Sequence, residues 1–156
     1  MAKPIMAPIT GREDPTDARE PDGALAEFYR AFNSRDLALM ERNWDASDEA
    51  SMDNPLGGIR RGWTDIRQVY ERVFGGEAVV NVEFYDYTIH RFGETFLAVG
   101  RERGTLAVGE RSLDLKIRTS RLFRMSEGRW RQVHHHGSME DPDLLARYQA
   151  ALRGGQ

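Results

Sequence analysis

The chain has 156 residues, a formal net charge of -3 and no cysteine. That length is one domain with enough apolar content to bury a core. The charge argues against a general nucleic-acid or anionic-membrane binder, and the missing thiols exclude disulfides and thiolate metal sites.

Residues 1–21 carry Pro4, Pro8, Pro15 and Pro21 among Gly, Asp, Glu and Arg. They read as a flexible or extended arm, able to lie across a partner subunit. The proline-broken stretch 4–9 is a poor signal-peptide core, and no apolar run approaches the roughly 20 residues of a membrane helix. A soluble, cytoplasmic protein is expected. Residues 22–153 are expected to form the single domain.

Asp22 can cap a first helix, in which Leu25, Phe28, Tyr29 and Phe32 fall on one stripe. Asn33-Ser34-Arg35 breaks it, and Asp36 can cap a shorter helix with Leu37, Met40 and Trp44 on one side. Pro55, Gly57 and Gly58 mark a strand end or loop over 51–58. A third helix is expected from Thr64, with Ile66, Val69, Tyr70, Val73 and Phe74 inward, stopped by Gly75-Gly76. The period then changes from helical to alternating. Strands are expected over 79–92, 95–108, about 113–123 and 130–136, with turns at Gly93-Glu94, Gly109-Glu110 and Ser126-Glu127-Gly128. A last helix is expected from Asp141-Pro142, with Leu144, Leu145, Tyr148 and Leu152 packing inward. Helices ahead of consecutive hairpin strands read as α+β with an antiparallel sheet.

Alternation in the third long strand puts Arg121 on one face with Leu113, Leu115 and Ile117. A guanidinium on a core face must be paired, hydrogen-bonded or wetted by a cavity. The second long strand puts Arg101 and Arg103 on one side with Leu97 and Val99. If both faces point into a concavity, Arg101 and Arg121 line a pocket suited to a carboxylate or other oxyanion. The alternative is that these arginines pair with carboxylates or face solvent.

His134, His135 and His136 are consecutive on the last strand. Period two sends His134 and His136 to one face with Trp130 and Gln132, and His135 to the other. Two imidazoles at i, i+2 can serve as acid and base, bind an anion or hold a metal. They can also simply hydrogen-bond to backbone or carboxylate. A metal needs a third ligand, from His90 or a carboxylate, and no HExxH-like pair is present. Neither a metal nor a cofactor is expected. Trp44, Trp63 and Trp130 stand beside element boundaries, where such rings close a core or wall a ligand pocket.

Two stretches carry a family pattern. Residues 24–74, with Phe28-Tyr29-Arg30-Ala31-Phe32-Asn33-Ser34-Arg35-Asp36-Leu37, then Asn54-Pro55-Leu56-Gly57 and Gly62, resemble the ketosteroid isomerase and SnoaL-like group. Residues 101–138 resemble the association domain of calcium/calmodulin-dependent kinases, through Arg101, Arg121, Gly128, Trp130, Val133, His134, His136 and Ser138. Both belong to the nuclear transport factor 2-like superfamily. The resemblance implies a cone, with a curved antiparallel sheet wrapped around the N-terminal helices, often as a homodimer. It also implies a pocket with Arg101 and Arg121 aimed inward and His134 or His136 nearby. Asn54 stands where the isomerases carry their general-base aspartate, and Phe28 where they carry the oxyanion-donating tyrosine. Steroid isomerisation by the usual route is therefore not expected.

Three readings stay open. One is a small-molecule binding protein with Arg101 and Arg121 on an anionic group, Asn54 donating a hydrogen bond, and Trp44, Trp63 and Trp130 as apolar walls. Another is an isomerase, cyclase or dehydratase acting on a polyketide-like or steroid-like ketone, with His134 or His136 as acid or base. The third is a structural oligomerisation module.

Overall fold

A computed structural model describes residues 1–14 and 16–154. Among them the chain runs α1 (Pro21–Ser34), α2 (Leu37–Asn43), β1 (Ser51–Asp53), β2 (Arg60–Arg61), α3 (Trp63–Gly75), β3 (Val79–Phe92), β4 (Thr95–Val108), β5 (Arg111–Ser126), β6 (Arg129–Met139) and α4 (Pro142–Gly154). No helix among the described residues is long and apolar enough to cross a membrane.

Local sequence accounts for most boundaries. α1 starts one residue before Asp22, because Pro21 occupies the first turn, where its missing N–H costs nothing. It ends at Arg35, which is left-handed at φ 57°. The Arg35 guanidinium then donates to the Ala78 carbonyl at 2.7 Å, tying the end of α1 to the start of β3. Asp36 caps α2 by accepting the Leu39 N–H at 2.9 Å. α3 is capped at Gly62, so its first residue is Trp63 and not Thr64.

The six strands form one open sheet in the order β2-β1-β6-β5-β4-β3. The long hairpins β3–β4, β4–β5 and β5–β6 are antiparallel as expected, while β1 joins β6 in parallel. The inner face packs on α1, α2 and α3 around Leu25, Trp44, Ile66, Phe84, Phe96 and Trp130. β3 crosses β4 so closely that a Cβ on Gly104 would stand 1.9 Å from the Asn81 carbonyl oxygen. Glycine there lets the sheet curl over the helices.

Two irregularities decide which side chains face inward. In β3, pairing shifts between Tyr85 and Thr88, with Asp86 at φ 48°. In β6, Leu122 pairs with His134 and Phe123 with Gln132, so Val133 is an unpaired extra residue. Such a bulge reverses the inside–outside phase of everything beyond it. Trp130 and Gln132 are buried before it, and His135, Gly137 and Met139 after it.

The N-terminal segment read as a flexible arm is tied to the domain. Ile5 and Ile9 bridge Tyr87 and Phe84 in antiparallel pairing along the outer edge of β3. Ile9 is buried, and Asn33 on α1 donates to the Thr10 carbonyl at 3.0 Å. Pro15 lies outside the described residues.

Candidate functional site

Arg121 enters the molecule's interior from the middle of β5 and is fully enclosed. Its Nη2 donates to Glu102 Oε1 at 2.8 Å and its Nη1 to Gln132 Oε1 at 2.7 Å. The Tyr29 hydroxyl donates to the same Glu102 oxygen at 2.7 Å. The guanidinium carbon sits 3.6 Å from the centroid of the Phe28 ring. Gln132 passes the network on to Asn43, which donates to Glu27 at 3.1 Å, and Glu27 pairs with Arg129. The buried charge thus meets the requirement for a paired and hydrogen-bonded ion. Burial opposes the Arg121 charge most strongly. Tyr29 and Glu102 outweigh it and hold the guanidinium above its ordinary range. Burial pushes the Tyr29 hydroxyl well above its ordinary range and raises that of Tyr70 to about 12.

The pair forms part of the wall of a small inner chamber of about 70 Å³, with Phe28, Asn54, His135 and Tyr148 around it. The chamber shares Asn54, Leu56, Val69, Val73, Val80 and Tyr148 with an outer cavity of about 310 Å³. The inner space alone is far below the roughly 300–1,000 Å³ of a usual ligand site. The outer one reaches the lower end of that range. Arg60, Arg72 and Glu77 stand in the outer cavity's wall, and α4 roofs it with Tyr148, Ala151 and Leu152. Gln149 on α4 donates to the Leu56 carbonyl at 2.9 Å, fixing the roof to the loop after β1.

His135 is the imidazole of the inner chamber. It is buried, and among the described residues neither ring nitrogen has a hydrogen-bond partner. Burial lowers its pKa well below the ordinary value, and the Arg121 charge and the flanking His134 and His136 add to this. The ring is therefore neutral near pH 7, with one N–H donor and one acceptor nitrogen. Its Nε2 lies over Gly137, where an added Cβ would stand 3.2 Å from it. Asn54 commits its Oδ1 to the Leu56 N–H at 2.9 Å, which leaves its amide nitrogen as a donor.

Several expected site residues stand elsewhere. Arg101 lies on the outer face of β4, paired with Asp86 at 3.0 Å and with Glu140. The inner residues of β4 are the alternate set, Phe96, Ala98, Glu102 and Leu106. His134 and His136 are also outward, because the Val133 bulge exchanges them with His135. His134 Nδ1 is 2.7 Å from Ser51 Oγ, and His136 Nδ1 is 3.2 Å from Asp53 Oδ2. The three tryptophans close the core and line neither cavity. Trp44 donates to the Tyr70 hydroxyl at 3.2 Å, Trp63 to Glu41 at 3.0 Å, and Trp130 packs edge-on against Phe96. Of the expected ligand-binding residues, Arg121 and Asn54 are brought together on the chamber wall.

The residues that sequence reasoning missed are Glu102, His135 and Tyr29. A signal for Glu102 was present, since Phe96, Ala98 and Leu106 share its parity on β4. For His135 the signal is a conflict of parity between Trp130 and Met139, both of which demand the interior.

A family profile described as a SnoaL-like domain matches residues 22–142. No curated protein matches the chain. Among solved structures, an NTF2-like superfamily protein from Salmonella enterica serovar Typhimurium aligns with a TM-score of 0.68 at 21% identity, covering 76% of this chain and 87% of its own. A protein from Streptomyces avermitilis, provisionally assigned as a dehydratase of the NTF2-like family, aligns with a TM-score of 0.71 at 19% identity, covering 80% and 96%. A provisionally assigned calcium/calmodulin-dependent protein kinase type II association domain from Thiobacillus denitrificans aligns with a TM-score of 0.64 at 23% identity, covering 78% and 95%. At these identities the structural likeness carries the fold alone.

Proposed function

The chain belongs to the SnoaL-like domain family, and on that premise we propose that it binds a small organic molecule by an uncharged polar end. The observation that carries this is His135, a buried imidazole on a chamber wall with both nitrogens unpartnered. Buried polar side chains are almost always hydrogen-bonded. A ligand hydroxyl or carbonyl at His135, with Asn54 as a second donor, satisfies it. Arg121 already has Glu102 as counter-ion, so the inner end of the ligand carries no charge. This departs from an anion held between Arg101 and Arg121. An anionic group on the ligand would meet Arg60 and Arg72 in the outer cavity instead. The apolar body of the ligand lies against Phe28, Val73 and Tyr148.

The test is a thermal-shift screen of phenols, cyclic ketones and small carboxylates on wild type and His135→Leu. Stabilisation by a phenol or ketone that disappears in His135→Leu supports the proposal. A hit that persists unchanged in that variant overturns it.

A second reading is favoured by the same imidazole. A neutral His135 can take a proton from a ketone's α-carbon while the uncommitted Asn54 amide donates to the developing enolate oxygen, the combination that isomerisation or dehydration of a ketone needs. The dehydratase assignment of the Streptomyces protein supports this direction. In this reading the acid–base role passes from His134 and His136 to His135. Turnover of a screening hit that survives His135→Leu removes it. Assembly as a homodimer is proposed on family resemblance, and a monomer in sedimentation at micromolar concentration would remove that.

A further inference from the structure

The three adjacent histidines are divided between two faces of the sheet. The Val133 bulge turns His135 into the chamber and leaves His134 and His136 together on the opposite face of the sheet. β1 lies alongside them in parallel register, Ser51 opposite His134 and Asp53 opposite His136. Asp53, His134 and His136 each offer a ligand atom, and these atoms lie within 4.8 Å of one another.

We propose that Asp53, His134 and His136 form a surface site for a divalent transition-metal ion, with Zn²⁺ as the natural occupant. Two imidazoles and one carboxylate are a borderline ligand set that suits Zn²⁺, with nitrogen bonds of about 2.0–2.1 Å and oxygen bonds of about 2.0–2.2 Å. Those lengths bring ligand atoms to separations of about 3–4 Å, which modest side-chain rotation reaches from the spacing in the structure. The surroundings already orient the rings. Ser51 Oγ holds His134 through Nδ1, leaving Nε2 free. Such a partner on the second ring nitrogen fixes tautomer and orientation for metal-binding histidines. His136 is more than half exposed, so an ion has an open approach. Ser120, the register partner of His136 on β5, adds a hydroxyl to the same face. Three protein ligands leave at least one coordination position to solvent or an external donor.

The site is independent of the chamber ligand, because its three residues all face away from the chamber. It does act on the same strands. An ion bridging Asp53 to His134 and His136 clips β1 to β6, and Asn54 and His135 are the next residues along.

The test is calorimetric titration of ZnCl₂ into the full chain after treatment with a chelator. One-to-one saturable binding is expected, weakened at least tenfold in each of His134→Ala, His136→Ala and Asp53→Asn, and unchanged in His90→Ala. Histidine ring resonances in wild type give a readout that needs no variant. Zn²⁺ is expected to shift those of His134 and His136 and to leave His90 in place. Absence of binding at a hundredfold molar excess overturns the proposal, as does binding that survives both histidine replacements.

Discussion

Glu102 and Arg121 meet across the inner face of the sheet although they are four positions out of register, for Arg121 is opposite Ala98 and Glu102 opposite Ile117. The guanidinium therefore runs along the strand direction beneath Phe28 rather than straight across to its neighbour. Arg121 and Glu102 are almost wholly enclosed, at 2% and 7% exposure respectively. Removing one partner strands the other charge in a medium that cannot solvate it. Glu102→Ala is expected to lose about 3–5 kcal/mol in urea unfolding. Glu102→Leu combined with Arg121→Met is expected to recover much of that loss, since the pair's own net contribution is small.

Arg101 provides the contrast. Its ion pairs with Asp86 and Glu140 lie on the solvent side of β4. Exposed pairs of this kind are screened and contribute little. Arg101→Ala is expected to leave the melting temperature and any chamber ligand's affinity unchanged, whereas Arg121→Ala lowers both. Equal effects of the two variants would contradict the assignment of faces.

Acid stability follows from His135. Its folded pKa lies well below the ordinary value because of burial and the Arg121 charge. Below about pH 6.5 the unfolded chain binds a proton that the folded chain refuses, so stability falls as pH drops. The slope contributed is at most about 1.4 kcal/mol per pH unit until the folded pKa is reached. His135→Asn is expected to flatten the stability profile between about pH 6.5 and 5. Urea titrations across that range, with chelator present throughout, measure it.

At the alkaline end the sign is opposite. Burial pushes the Tyr70 hydroxyl up to about 12 and holds that of Tyr29 well above its ordinary range. The unfolded chain loses these protons from about pH 10 upward, so stability falls as pH rises past that point. Absorbance near 295 nm is expected to show Tyr29 and Tyr70, both buried, ionising only as the fold opens. A single ionisation step at the ordinary tyrosine pKa would refute this.

Gly104→Ala is expected to cost about 3 kcal/mol or more, because the new methyl meets the Asn81 carbonyl oxygen and the Val82 Cα, both backbone. Neither can move without opening the β3–β4 pairing. Thermal melts of the variant test this directly, and Gly109→Ala in the tight turn, where nothing stands nearby, separates crowding from the φ penalty of 59°.

Periodicity alone located three of the helices to within two residues and the long strands β3 and β4 to the residue, because each has a sustained 3.6 or 2.0 repeat with turn glycines at its ends. It also put Arg121 inside, since β5 alternates without interruption past that point. The family resemblance aimed Arg101 inward too, but it stands on the outer face, an alternative that the alternation left open. Leu97 and Val99 make the outer face of β4 look apolar, while Gly100 and Gly104 leave the inner face without its expected bulk. The histidine assignment failed for a different reason. Nothing in Gln132-Val133-His134 announces a bulge, and one extra residue is enough to exchange the two faces. The Glu102–Arg121 contact was beyond reach because it joins residues 19 apart whose strands pair four positions off.

The N-terminal segment has a consequence for handling the protein. β3 is an outer strand of 14 residues, and an uncovered strand of that length offers its N–H and C=O row to any passing chain. Ile5 and Ile9 hold the segment against that row at Tyr87 and Phe84. Trimming residues 1–10 to obtain a tidier sample would thus bare an adhesive border, and the shortened protein would precipitate or fibrillate long before its core came apart.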